Sequence, residues 1–560
     1  MQEIKKQLKS AILKLYNLDL DIDISPAPEN IDADYSTNIP LKLARELHRS
    51  PMEIAEEIRR VLDETPEAAF LATSTSNPGF INFTLLDDYL SGEISRLESD
   101  FSTAIKSTQF QNKTVICEFS DPNPFKVLHV GHLYTSIVGD SISRLFEYAG
   151  AKVIRANYGG DVGLHVAKTI YALKDKQLDK LKIDDIARCY VEGTAAYEDD
   201  ESAKQEITRL NKEIYKINTE KLHDSPIADL YWRGRELSYE YFKNFYDSIG
   251  VEFDKYYPES TVAALGLQTV KEQLKNGVYE MSGAAVIFNG EKYGLHTRVF
   301  INSEGIPTYE TKDVGLVFTK WQDYHFDKSI IITGSEQSDY IKVVYKSIEQ
   351  YAPELSSRTL HLTHGLVKLP GNVKMSSRKG NFLKAVDVID MIKDELEKTY
   401  HSTDDKVSLA AIKYAFLKYK MGGNIIFDPK ESVKMTGNSG PYLLYSAVRA
   451  KKILQKSADA GISGNERNNP GAQSLESYER DLIKKTLEYR DILNEAVAEM
   501  APHKVAGYLY ELAQEFSRFY EHCPVHNSDK EKERLLLVRA YLDTMTHGLG
   551  LLGIQIPEEM

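Results

Sequence analysis

Between Thr114 and Tyr158 the chain reads as strand, helix, strand, and this run constrains the fold more than any other segment. Thr114 to Phe119 (TVICEF) is a short β-branched and aromatic stretch of the kind that forms a buried strand. Leu133, Ile137, Ile142, Leu145 and Phe146 then recur at helical spacing, and Gly150 stands where a left-handed C-cap closes a helix. Lys152 to Tyr158 (KVIRANY) supplies the next strand. Such a crossover implies an open parallel sheet. In these sheets ligands bind at the carboxyl ends of strands, near helix N-termini that favour phosphate.

His129-Val130-Gly131-His132 falls at the turn between the first strand and the helix. Gly131 removes a side chain where a flat base can approach the backbone, and two imidazoles three residues apart can donate hydrogen bonds to phosphate oxygens. Far downstream, Lys374-Met375-Ser376-Ser377-Arg378-Lys379-Gly380 lies between Pro370-Gly371 and Gly380-Asn381, a polar, Gly-flanked stretch that reads as a loop able to close over pyrophosphate. Adenylyl chemistry depends mostly on positioning and on stabilising charge that builds in the transition state, and Lys374, Arg378 and Lys379 are suitable donors. Either segment alone reads as an ordinary turn or a solvated lysine loop. Together they read as a site for ATP.

The two segments resemble the paired motifs of class I aminoacyl-tRNA synthetases, and the surrounding sequence resembles the arginyl-tRNA synthetases over nearly the whole chain. Glu118, Asn123 and Lys126 precede the first motif in the pattern E-F-S-x-P-N-x-x-K. Tyr309 and Asp313, in YETKDVG, resemble the family's Y-x-x-x-D-V-G segment, and Gln337 in GSEQSD falls where the family places a further polar contact. GNSGPYLLYSAVR, from Gly437 to Arg449, resembles G-x-x-G-P-Y-x-x-Y-x-x-x-R, and LLGIQIPEEM is similar to the end of family members. Two departures stand out. Ser377 replaces the usual second lysine of the loop motif, with Arg378 and Lys379 one and two positions later, while Lys126 stands where a lysine before the first motif substitutes in some relatives. His165 occupies a position where many relatives have Gln.

The resemblance implies an α/β fold: a Rossmann-type parallel-sheet catalytic domain with an insertion, an N-terminal α+β additional domain and a C-terminal all-α anticodon-binding domain. It implies an arginine–tRNA ligase, which joins L-arginine to Mg2+-bound ATP, releases pyrophosphate, and passes arginine from the adenylate to the 3′ end of tRNA(Arg), with tRNA bound before activation. Carried over by position, the catalytic set is Lys126, His129, His132, Lys374, Arg378 and Lys379. ATP falls to His129, Gly131, His132, Gly334, Lys374, Met375 and Ser376. Arginine falls to Glu118, Ser120, Asn123, His129, Tyr309, Asp313 and Gln337, with Glu118 and Asn123 at the α-amino group.

A guanidinium is planar, permanently charged and carries five donors, so a carboxylate and neutral acceptors suit it. Asp313 meets that need, and Tyr309 is one helical turn away. From spacing alone Asp313 reads as a solvated helix carboxylate; the resemblance places it in the pocket. Such a pocket rejects analogues lacking the group by roughly 10⁴ to 10⁵, so editing is unnecessary.

With 560 residues the chain suits about three or four domains. We expect 1–110 as the additional domain, 111–425 as the catalytic domain with its insertion at about 165–300, and 426–560 as the helical domain. In the first, Asn77, Phe80 and Asn82 match the family's contact to the tRNA elbow, although a plain strand with Phe80 in the core fits the pattern equally. In the last, Tyr442, Tyr445 and Arg449 share a helical face, a spacing common in core packing that the resemblance turns toward the anticodon; Met560 joins the tRNA set. Gly548, Gly550 and Gly553 spell GxGxxG, but with no βαβ unit after them they read as a helix end.

The net charge of −14 argues against indiscriminate nucleic-acid binding but leaves room for a local basic path through Lys368, Lys374, Arg378, Lys379, Arg449, Lys451 and Lys452. Hydrophobic content of 42% and charged content of 27% fit a soluble protein, with no apolar run of membrane-spanning length. The N-terminal stretch MQEIKKQLKSAILKLYNL reads as a docked amphipathic helix rather than a transit peptide. Cys117, Cys189 and Cys523 are too scattered for a disulfide framework or a zinc site. The expectation is a cytoplasmic monomer with no membrane partner and no tightly bound metal. A smaller nucleotidyltransferase would have no use for the C-terminal helical run, and a silent RNA-binding paralogue would have lost His129, His132 or the loop lysine, all of which are present.

Overall fold

Five short segments rich in aliphatic and β-branched residues build one parallel sheet: β1 Thr114–Glu118, β2 Lys152–Gly159, β3 Lys255–Pro258, β4 Lys328–Gly334 and β5 Thr359–His364. Val115, Ile116, Cys117, Ile330, Ile331 and Ile332 are all buried, which is why these strands read as continuous apolar runs rather than as alternations. The spatial order is β5-β4-β1-β2-β3, so the direction of winding reverses between β1 and β4. A crevice opens beyond the carboxyl ends of strands at such a reversal, and ligands bind there.

The computed structural model describes residues 2–28, 30–68, 70–174, 176, 181–371, 383–459 and 474–560. They fall into two compact units, one of Met1–Ile105, Ser446–Leu493 and Tyr510–Met545, the other of Lys106–Tyr445, Asn494–Leu509 and Thr546–Met560.

In the second unit, the helix expected after β1 is α1, Val130–Tyr148, and Gly150 follows it with φ +89°. A Cβ on Gly139 would lie 2.1 Å from the Phe119 ring, so α1 lies directly on the end of β1. Between β2 and β4, helices Leu164–Leu173, Ile183–Asp199, Glu201–Glu220 and Pro226–Ile249 form a core of their own around Val166, Ile170, Ile207, Leu210 and Ile214. The chain then returns to the sheet as β3, and adds an antiparallel sheet of Glu280–Ser282, Ala285–Phe288 and Arg298–Ile301.

Helices α2 Glu259–Lys275 and α3 Tyr309–Tyr324 cross at two glycines. A Cβ on Gly266 would sit 2.0 Å from the Thr311 carbonyl oxygen, and one on Gly315 would sit 2.1 Å from that of Val262. The glycine of the DVG segment therefore sets how closely α3, which carries Asp313, packs onto α2. Gly315→Ala is expected to cost about 1–3 kcal/mol by overpacking and to raise KM for the pocket's substrate. An unchanged urea midpoint would show that the helices separate without cost.

Also in the second unit, α4 Asp405–Leu417 packs against α1. Beyond it α5 Gly440–Asp459 begins there and runs into the first unit, which holds α6 Ser477–Leu487. The amphipathic N-terminus is a helix, Gln2–Tyr16, in the first unit. There a four-stranded antiparallel sheet includes Leu71–Ser76 and Phe80–Leu85. Its Asp34 receives Arg480 Nη2 and Lys484 Nζ of α6 at 2.8 Å each, so the N-terminal residues and α6 belong to one body. The last helix, α7 Glu531–Leu551, ends in the second unit at Gly553, φ +67°, with no strand beyond it, so the GxGxxG run is a helix end. Among the described residues no helix is long and apolar enough to cross a membrane.

Candidate active site

The loop that leaves β1 is held in an uncommon path: Ser120, Asp121 and Phe125 all have positive φ, at +71°, +51° and +66°. Non-glycine residues persist in that region only where surroundings over-determine them. Here the Asp121 carboxylate accepts the Tyr158 N–H at 2.8 Å, Asn123 Oδ1 accepts the Gly160 N–H at 2.7 Å, and the Phe125 N–H reaches Ser238 Oγ at 3.0 Å. The Ser120 hydroxyl is buried against the Tyr246 phenol at 2.9 Å, which makes it part of the loop's support.

The loop delivers His129 to the N-cap of α1. His129 Nδ1 accepts the Gly131 N–H and His132 Nδ1 accepts the His129 N–H, both at 3.1 Å. Burial, with the Lys126 charge adding, pushes His129 down to about 4, and burial pushes His132 well below its ordinary value. Both rings are therefore neutral at pH 7, and since each Nδ1 accepts, each Nε2 carries the proton. The pair is a set of two uncharged N–H donors at the positive end of a helix. A Cβ on Gly131 would lie 2.9 Å from the His129 ring, so the glycine makes room for the imidazole.

Lys126 lies 4.9 Å from the Tyr190 ring centroid. His165 is buried with Nε2 bonded to the Gly160 carbonyl at 2.8 Å. Residues 372–382, which include Lys374, Met375, Ser376, Arg378 and Lys379, lie outside the described residues. The chain immediately after them is tied to the motif: the Leu383 carbonyl accepts the Val130 N–H at 2.9 Å and the Ala385 N–H reaches the Leu128 carbonyl at 3.0 Å.

A cluster of buried carboxyl groups lies at the ends of β1 and α3. Glu118 and Lys320 form an ion pair with side chains 4% and 1% exposed. Asp313 accepts a hydrogen bond from the Tyr340 phenol. Burial pushes the Asp313 carboxyl up to about 7, with the Tyr340 phenol bond opposing and the Glu118 charge adding. Asp121 is raised as well, by burial and then by Glu118. Beside them Lys312 pairs with Glu259 at 2.6 Å and sits 5.0 Å from the Tyr309 ring, which remains 54% exposed. Buried carboxyls that resist ionisation in the absence of a cation are a receptor for one. After β4, Gly334 leads into the short turn Ser335–Gln337, with Gln337 exposed.

Residues 95–428 match the family described as tRNA synthetases class I (R), catalytic domain. The chain belongs to the arginyl class I tRNA synthetases. Residues 443–560 match the DALR anticodon binding domain and residues 2–85 the arginyl tRNA synthetase N terminal domain. An arginine–tRNA ligase of Clostridium acetobutylicum is 29% identical over 587 residues, covering 100% of each chain. The fold is shared with arginyl-tRNA synthetases of Thermus thermophilus (TM-score 0.76, 23% identity, 100% of each chain) and Plasmodium falciparum (0.77, 23%, 100% of this chain and 99% of that one).

For an arginyl synthetase, sequence reasoning missed Lys320, Lys312, Glu259 and the Tyr158 and Tyr340 phenols. Lys320 stands seven positions after Asp313 on α3, a same-face spacing that was readable. Phenols contributed by β2 and by the helix after β4 carried no such local signal. Of the tRNA residues, Asn77 is exposed and Phe80 half-buried, whereas Asn82 is buried between Ser36 Oγ at 3.0 Å and Ser76 Oγ at 3.1 Å, supporting the hairpin internally. Tyr445 is 41% exposed, Tyr442 and Met560 are partly buried, and the Arg449 guanidinium stacks 4.9 Å from the Tyr520 ring.

Proposed function

We propose that this arginine–tRNA ligase activates L-arginine in the crevice between β1 and β4. The arginine carboxylate attacks the α-phosphate of Mg2+-bound ATP, pyrophosphate leaves, and the terminal ribose hydroxyl of tRNA(Arg) then displaces AMP from the adenylate. His129 and His132 donate Nε2–H to phosphate oxygens, with Lys126 adding positive charge and Lys374, Arg378 and Lys379 assigned by motif alone. Gly131 and Gly334 are assigned to the nucleotide by motif position.

At the amino-acid end, Asp313 receives the guanidinium, with Tyr309 over its entrance. Glu118, paired with Lys320, is assigned to the α-amino group of the substrate. Asn123 has committed Oδ1 to Gly160, which leaves its amide N–H groups for the substrate carboxylate; Gln337 is assigned to the α-amino group and Ser120 to supporting the loop. The single observation that carries the reading is this buried, substrate-demanding carboxyl cluster beside two neutral donors at a sheet switch point. Asn77 and Phe80 serve the tRNA elbow, and Tyr442, Tyr445, Arg449 and Met560 its anticodon side.

Following the family, activation waits for tRNA. We further propose a monomer of the cytoplasm, with Mg2+ arriving on ATP. The test is charging of total tRNA with each of the twenty amino acids, paired with ATP–pyrophosphate exchange with and without tRNA. Arginine alone is expected to be charged, and exchange to require tRNA. Charging of another amino acid would overturn the pocket assignment.

A further inference from the structure

Helix α7 ends inside the unit that holds the catalytic sheet; the N–H groups that follow it take the Gly548, Leu549 and Gly550 carbonyls, while the Leu551 carbonyl and that of Gly553, just past the helix, are held by the catalytic core. Ser141 Oγ of α1 donates to the Leu551 carbonyl at 2.9 Å, and Lys413 Nζ of α4 donates to the Gly553 carbonyl at 2.6 Å. The Leu551 carbonyl lacks a partner within the helix and that of Gly553 lies beyond it, so both take theirs from the core. What is unusual is the cost of this cap. Lys413 is 3% exposed, and burial pushes its ammonium down to about 8. A methionine would fill the same space without desolvating a charge. Asp140, also of α1 and 3% exposed, faces the same point and holds Arg144 Nε at 2.7 Å. A Cβ on Gly553 would lie 3.0 Å from Asp140 Oδ2 and 3.1 Å from Lys413 Nζ.

α1 is the helix whose N-terminus carries His129 and His132, and Ser141 lies roughly 15–20 Å along it from that end at 1.5 Å per residue. α7 lies within the residues matching the anticodon binding domain. We propose that Lys413, with Ser141, is a positioning residue that couples anticodon engagement by the C-terminal helices to the placement of the histidine pair on α1. The coupling rests on the tRNA-dependent activation proposed above and supplies its route. Helices are stiff along their axes, so a shift at the end of α7 displaces α1 as a body. The buried cap makes the contact specific in place, where an apolar contact could slide.

The experiment compares tRNA(Arg) transcripts with the anticodon loop intact and replaced, measuring kcat and KM for tRNA, ATP and arginine in the native enzyme, Lys413→Met and Lys413→Arg. Lys413→Met is expected to lower kcat for the intact transcript about tenfold, with KM values within about twofold and the loop-replaced transcript unaffected. Lys413→Arg, which keeps the charged donor, is expected to retain the discrimination. Full discrimination in a folded Lys413→Met enzyme would overturn the coupling, as would a loss spread equally over both transcripts. Should Lys413→Met fail to fold, Ser141→Ala is read in its place for the same two outcomes. If the native enzyme activates arginine without tRNA, the tRNA-dependent reading fails instead, so the two failures are distinguishable.

Discussion

Replacing Asp313 by Ala is expected to reduce kcat/KM for arginine by about 10² to 10⁴, because it removes a buried charged partner of the guanidinium and leaves the rest of the pocket unmatched. ATP affinity is expected to stay near native, since the nucleotide contacts proposed above lie at the N-terminus of α1. The carboxyl's position at about 7 adds a sharper result. Below that pH arginine must expel a proton to bind, so KM for arginine is expected to rise by about tenfold per pH unit as pH falls, and to level off above it. Asp313→Asn should show no such limb.

Stability runs the other way. A carboxyl whose folded value is raised contributes its full stability below the unfolded value, near 3.8, and loses it as pH rises toward about 7, because the folded state resists ionisation. Asp313→Asn escapes that penalty while its amide oxygen still accepts from Tyr340. Its melting temperature at pH 8 is therefore expected to exceed the native one although activity is lost. A lower melting temperature together with a flat native KM profile would remove Asp313 from the pocket and make it an ordinary structural group.

His132→Ala is expected to lower kcat by about 10² to 10³, the usual consequence of deleting one preorganised donor to a developing anion. KM for arginine should change little. The variant also loses the acceptor for the His129 N–H, worth about 1 kcal/mol as a helix cap, so a modest fall in melting temperature accompanies the loss of rate. Since burial holds His129 down at about 4 and His132 well below its ordinary value, kcat at saturating arginine should be flat from pH 6 to 8. A native kcat inflection near 6.5 that disappears in His132→Ala would show that the ring works as a charged acid rather than as a neutral donor.

Much of this molecule was legible because its local patterns are strong. The strand, helix, strand run from Thr114 to Tyr158 formed as β1, α1 and β2, since periodicity and a C-capping glycine act over a few residues. Tyr309 and Asp313 do share α3. The antiparallel sheet between Glu280 and Ile301 was not anticipated, because its strands of three or four residues carry too short an alternation to stand out. Asn82, matched with Asn77 to the family's tRNA-elbow contact, is turned inward between Ser36 and Ser76 by the strand register.

By itself the sequence determined the β1, α1 and β2 run, the motif at the β1 to α1 turn, and membership of the arginyl class I synthetases, all properties written in neighbouring residues or in motif order. Tertiary structure alone decided that winding reverses between β1 and β4, that Lys320 pairs with Glu118, that both imidazoles stay uncharged, and that Lys413 holds the chain just past the end of α7. The reason is physical: ion pairing, protonation and capping in this enzyme depend on burial and on partners distant in sequence. Neither exists until the fold has excluded water from the crevice and brought those partners within hydrogen-bond range.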